Sequence, residues 1–198
     1  MKSIIAIDCD GVLLDYHEAY CRAWEKAFGV LPELKDPQAY WAIDRWAVYQ
    51  LPQKELEHFH NQFDYEFWTT LKPIEGSVEA CQKFSCAGYD LVCVTGLNME
   101  YESARLENLQ KCDFPITRVV ATGKSFANGN PKAATLASLN PEAYVDDYLP
   151  YLLDLPDTIH TAIVLRESNG SPNVGKNMNL VNSQHINFAA FAEWWLNR

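Results

Sequence analysis

The chain has 198 residues, 48% of them hydrophobic and 21% charged, with a formal net charge of -10. That length supports one packed domain, with or without an insertion and without disulfide staples, while the acidic balance argues against a nucleic-acid polymer as partner, because phosphate backbones are held by basic surfaces. No run approaches the roughly 18 apolar residues of a membrane span, and Asp8 breaks the N-terminal apolar stretch too early for a signal-peptide core, so a cytoplasmic protein with no membrane partner is expected.

Five runs rich in branched apolar residues read as strands: 3–8, 90–95, 116–122, 143–146 and 159–165. Helical spacing over 76–87, 99–111 and 131–139 alternates with them, as in a parallel sheet covered by helices. The expected class is α/β, a doubly wound parallel sheet. One connection breaks the rhythm: about eighty residues separate the first strand from the second, where an ordinary crossover uses a single helix. Helical patterns over 17–28, 37–50 and 53–70 fill it, together with Trp24, Trp41, Trp46 and Trp68. The expected organisation is a core of residues 1–15 and 74–198 with a small helical cap, 16–73, over the carboxyl edge of the sheet. Residues 168–183 read as a polar loop. The cysteines, Cys9, Cys21, Cys81, Cys86, Cys93 and Cys112, show neither a CxxC pair nor metal-type spacing and read as reduced, mostly buried thiols.

Ligands of open parallel sheets gather beyond the carboxyl ends of the strands. The first strand runs into Asp8-Cys9-Asp10-Gly11, the second ends at Thr95-Gly96, and the fourth ends at Asp146-Asp147. Four carboxylates then meet at one edge and repel one another unless a cation lies among them. Hard oxygen donors in that number suit Mg²⁺, with Asp8, Asp10, Asp146 and Asp147 as candidate ligands. A carboxylate can also attack phosphorus and form an acyl phosphate. A second on the same face can then protonate the leaving oxygen and deprotonate the water. Gly11 lets the chain turn sharply after Asp10, and Thr95 offers a hydroxyl to a phosphoryl oxygen.

DCDGVLLD, VCVTGL and YVDDYLP resemble, in order, the first, second and fourth signatures of the haloacid-dehalogenase-like (HAD) superfamily of phosphohydrolases. The resemblance spans residues 4 to about 150. It implies a Mg²⁺-dependent phosphomonoesterase with Asp8 as the phosphorylated nucleophile, Asp10 as acid/base, Thr95 and Gly96 at the phosphate, and Asp146 with Asp147 at the metal. It also implies a supporting lysine, for which Lys132 is the first choice and Lys124 the alternative. The insertion resembles the family's first type of helical cap, which selects the substrate. FWTTLKPIEGSVEA is similar to the corresponding stretch of the 5'(3')-deoxyribonucleotidases, implying a small phosphorylated metabolite or nucleotide as partner. A phosphotransferase or mutase of the same superfamily, and a non-catalytic module binding phosphate or metal, are the alternatives.

Some residues carry weaker signals. ATGKS around Lys124 does not make a phosphate loop, because the first glycine would fall at Arg118. Asp15 has a counterpart in the family near the cap hinge, but it reads at least as well as a turn or cap residue. Tyr16, Tyr20, Trp24, Tyr40, Trp41, Trp46, Phe63, Phe67 and Trp68 could stack on a flat substrate but more often form the cap's own core. His58 and His60, two apart on a helix, face different ways and read as surface residues, as does Lys176.

Overall fold

The computed structural model describes residues 2–198. Six strands form one parallel sheet: β1 (Ile4–Ile7), β2 (Asp90–Thr95), β3 (Arg118–Ala121), β4 (Ala143–Asp146), β5 (His160–Val164) and β6 (Ser183–His185). Their spatial order is β3-β2-β1-β4-β5-β6. The chain therefore winds outward from β1 in one direction and then, from β4, in the other. The reversal leaves a crevice beyond the carboxyl ends of β1 and β4. Ile7 pairs in register with Cys93 on one side and Val145 on the other, so all three strand ends lie side by side.

Helices cover both faces. The principal core contains Ile5, Ile7, Cys93 and Val145, packed against α5 (Ser77–Cys86), α6 (Glu102–Lys111) and α8 (Phe188–Leu196). The opposite face buries Ala6, Val92, Val94 and Tyr144 with Leu136 of α7 (Ala133–Leu139). Strands covered on both sides carry continuous apolar runs, which is why β2 and β4 are legible in the sequence. Two elements, β6 and α8, lie outside the runs singled out in the sequence. β6 is Ser-Gln-His, beginning at the last residue of the stretch read as a loop, and it pairs in parallel through Val164 and His185. α8 starts where the Asn187 side chain accepts the Ala190 N–H at 2.7 Å.

Between β1 and α5 lie α1 (Tyr16–Phe28), α2 (Ala42–Arg45), α3 (Gln53–His60) and α4 (Tyr65–Trp68). Asp15 acts as the cap of α1, accepting from Glu18 N at 3.0 Å, and Gly29 closes that helix at φ 73°. The helix expected over 37–50 reduces to the single turn of α2. Its backbone groups bond across a loop instead, with Lys35 and Asp36 donating to the Arg45 carbonyl and Ala47 to that of Glu33. The helix expected over 53–70 divides in two, because Asp64 caps a new start by accepting from Phe67 N at 2.9 Å. Tyr20, Phe59, Phe63, Phe67 and Trp68 pack edge to face in the interior of this region, so its aromatics form a core of their own.

Cys9, Cys21, Cys81 and Cys93 are buried, Cys112 is half-buried and Cys86 exposed, and all six are free thiols. No described helix is long and apolar enough to cross a membrane.

Phe84 is fully buried against Phe188 and Phe191, where α5 meets α8. Phe84→Ala is expected to lower the unfolding free energy by about 3–5 kcal/mol, read from the urea midpoint at unchanged slope; a midpoint like that of the parent would contradict this packing.

Candidate active site

β1 delivers Asp8 to the crevice, where its N–H donates to the Val145 carbonyl at 2.8 Å. The chain then winds around the Cys9 carbonyl, which accepts from the N–H groups of Val12, Leu13 and Leu14. Such a turn needs a residue at positive φ, and Gly11 adopts φ 86°. Space adds a second demand for glycine. A Cβ on Gly11 would lie 2.4 Å from Arg166 Nη1 and 2.7 Å from Asp147 Oδ2.

Asp8, Asp146 and Asp147 are all buried, and one carboxylate oxygen from each lies within 4.8 Å of the others. This cluster has its own cation. Lys132 stands just before α7 with no exposed surface, and its Nζ donates to Asp8 Oδ1 at 2.6 Å, Asp146 Oδ2 at 2.7 Å and Tyr144 Oη at 2.7 Å. Tyr144 also bonds Asp146 directly. Burial alone would depress the Lys132 ammonium, but Asp146 and Asp8 outweigh it and hold the pKa well above the usual lysine value. Burial pushes Asp146 up to about 7, against the pull of Lys132, and Asp147 up to about 6, against that of Arg166. The cluster is still short of positive charge.

Asp147 has partners of its own. Arg166, two residues beyond the end of β5, places Nε 2.7 Å from Asp147 Oδ2. Its guanidinium lies 4.7 Å from the centre of the Tyr40 ring. The Tyr40 hydroxyl donates to the Asp147 carbonyl at 3.2 Å, so the segment before α2 touches the acidic cluster directly.

Asp10 stands apart from this group. Its carboxylate, expected among the metal ligands, turns to α6 and accepts from Arg105 Nη2 at 2.7 Å, because Arg105 has no exposed surface and needs a counter-ion. Burial raises the Asp10 carboxyl and Arg105 opposes that shift. Thr95 is buried at the end of β2. Gly96 is a close approach, since a Cβ there would meet the Tyr151 hydroxyl at 2.7 Å. Lys124 lines the cavity, but Lys132 is the lysine that reaches Asp8.

A cavity of about 710 Å³ opens over these groups. Asp8, Asp10, Thr95, Gly96 and Asp147 form its floor, and Tyr16, Tyr20, Trp41, Phe59 and Trp68 contribute to its walls. Trp41 is 44% exposed, unlike most rings of the insertion. His60 also borders the cavity, while His58 bonds the Ala27 carbonyl at the exposed surface; the two do not meet. Lys176 is exposed.

Sequence reasoning missed Arg105, Arg166 and Tyr144. Arg105 carried a signal, as a charge on the helix face shared with Ala104, Asn108 and Leu109. Arg166 directly follows an apolar strand. Tyr144 inside β4 looks like any strand aromatic.

Lys132→Met leaves two buried carboxylates without their cation. It is expected to lower stability by about 3 kcal/mol in denaturant titrations without divalent metal; unchanged stability would show that Lys132 does not neutralise the pair.

No curated protein matches the chain. Its fold is similar to that of a predicted phosphoglycolate phosphatase from Haemophilus somnus, at 15% identity and TM-score 0.65 over 98% of each chain. A HAD family hydrolase from Deinococcus radiodurans R1 with bound phosphate and sodium matches at 14% identity and TM-score 0.60, over 98% of this chain and 97% of that one. The L-2-haloacid dehalogenase PA0810 matches at 13% identity and TM-score 0.62, over 98% of this chain and all of the other. Residues 2–119, which include Asp8, Asp10, Thr95 and the whole insertion, match the family described as 5' nucleotidase, deoxy (pyrimidine), cytosolic type C protein (NT5C). That match covers more than half of the chain, which therefore belongs to this family and is a phosphatase with a HAD-like fold.

Proposed function

We propose that the protein is a Mg²⁺-dependent phosphomonoesterase acting through an aspartyl phosphate on Asp8, and that it is a 5'-nucleotidase of the cytoplasm. The observation that carries the reading is the meeting of Asp8, Asp146, Asp147 and Lys132 at one point, with Asp8 and Asp147 lining the cavity floor and Asp146 and Lys132 buried beneath it. Asp8 Oδ attacks phosphorus while the P–O bond to the leaving group breaks. Asp10 gives its proton to that oxygen, then takes one from the water that attacks the phosphoenzyme and frees Asp8. Lys132 orients the Asp8 carboxylate through Oδ1, and Thr95 with the Gly96 backbone receives the phosphoryl oxygens.

The donor set fits a hard divalent cation: three buried carboxylates converge, and burial raises Asp146 and Asp147 despite their cationic partners. Asp8, Asp146 and Asp147 would hold Mg²⁺, which when bound neutralises the carboxylates and the phosphoryl oxygens. Residues 16–73 act as a cap, walling the cavity with aromatic rings and excluding water. Their flat apolar surfaces and the family's description together favour a pyrimidine deoxynucleoside monophosphate. A small phosphorylated molecule of this size fits both the cavity and the net charge, and neither a nucleic-acid polymer nor a membrane is required. Phosphotransfer to an acceptor other than water uses the same floor and is the second reading, because only the occupant of the cavity distinguishes them.

Asp8→Asn is expected to reduce phosphate release from p-nitrophenyl phosphate and from a panel of nucleoside and sugar phosphates by at least about 10³-fold, with the parent's far-UV circular dichroism and cooperative unfolding retained. Removing divalent metal with a chelator should stop the parent enzyme, and Mg²⁺ should restore it. Full activity of the Asn variant would defeat the mechanism.

A further inference from the structure

We infer that Arg105 is a positioning residue for Asp10, fixing one oxygen of that carboxylate so that the other faces the leaving group. The inference rests on the acid/base role proposed for Asp10. Arg105 lies on the inward face of α6 beside Ala104 and Leu109, where an apolar side chain would satisfy the packing. Its guanidinium has no exposed surface, and Asp10 is the one carboxylate with which it forms an ion pair among the described residues. The other nitrogens are poorly served. Nη1 reaches Asn108 Oδ1 at 3.4 Å, and Nε has no hydrogen-bond partner. A buried charge with a single ionic partner and few other hydrogen bonds is costly to desolvate, so packing alone does not account for Arg105.

The surroundings fix the guanidinium as well as its charge. Trp68 of α4 covers it, with Cζ 5.1 Å from the ring centre. Asn108 is tied in turn to the Leu71 carbonyl at 3.0 Å. Trp68, Arg105 and Asp10 thus form a stack running from the insertion to the cavity floor. Arg105 holds Asp10 Oδ1, and among the described residues Oδ2 has no hydrogen-bond partner, while Asp10 borders the cavity. The first step forms the bond from Asp8 Oδ to phosphorus, breaks the bond from phosphorus to the leaving oxygen, and transfers the Asp10 proton to that oxygen. A protonated Asp10 carboxyl free to rotate would deliver that proton less often.

The test is leaving-group dependence, which a merely structural role would not alter. p-Nitrophenolate departs without a proton, whereas an alkoxide needs one. The readout is the ratio of kcat/KM for p-nitrophenyl phosphate to that for thymidine 5'-monophosphate, or for the fastest alkyl phosphomonoester of the panel. Asp10→Asn is expected to raise this ratio by about 100-fold or more, and Arg105→Met to raise it by about 10-fold. In the Asp10→Asn background, Arg105→Met should change the ratio by less than about 3-fold, because its effect acts through Asp10. Equal losses on both substrates, or an undiminished effect in the Asp10→Asn background, would overturn the assignment. Should Arg105→Met not unfold cooperatively, Arg105→Lys takes its place. It keeps the charge, loses the planar fork, and must still raise the ratio. An active Asp8→Asn variant, or an Asp10→Asn variant with the parent's ratio, would refute the catalytic reading itself, an outcome separate from a failure confined to Arg105.

Discussion

A fully buried ammonium held between two buried carboxylates organises this protein. Lys132 Nζ lies 2.6 Å from Asp8 and 2.7 Å from Asp146, and neither acid could sit so close to the other without it. The three residues come from β1, the start of α7 and β4, so the contact is possible only once the parallel sheet has formed and the chain has reversed direction. Fold and site are therefore one problem. The pairing of β1 with β4 places Asp8 beside Val145, and α7 then lays Lys132 across the strand ends.

The same requirement repeats around the crevice. Asp8 and Asp146 share Lys132, Asp147 has Arg166, and Asp10 has Arg105. Four carboxylates and three buried or nearly buried cations leave one negative charge over. The imbalance keeps the site receptive to a further cation, and a metal dication would make it receptive to a phosphoryl dianion. Two glycines give these long side chains room: Gly11 under Arg166 and Gly96 under Tyr151. The insertion contributes through contacts as well as coverage, since Tyr40 bonds Asp147 and Trp68 lies on Arg105.

Much of this arrangement is legible in the amino-acid sequence because it depends on strand ends. Apolar runs that stop at Asp8, Thr95 and Asp146 announce both a parallel sheet and its functional edge. Features that depend on side-chain reach are less legible: the sequence favours Lys132 over Lys124 only through its place at the start of the helix that leads into the acidic strand, and three-dimensional placement is what brings it to Asp8. Arg105 left a trace as a charge on an apolar helix face. β6 left none, because an edge strand of Ser-Gln-His needs no apolar pattern to pair. The segment 37–50 misleads for a different reason. Its apolar spacing suits a helix, but its carbonyls and N–H groups find partners across a loop, and tertiary pairing overrides the local preference.

The proposed mechanism requires Asp8 to accept the phosphoryl group as a covalent acyl phosphate. The most direct measurement is an acid quench during turnover of a ³²P-labelled phosphomonoester, followed by borohydride reduction and mass mapping of the N-terminal peptide. Conversion of Asp8 to homoserine, with acid-stable label on the intact protein before reduction, is the expected result. Rapid turnover with residue 8 unmodified and no label on the protein would contradict it.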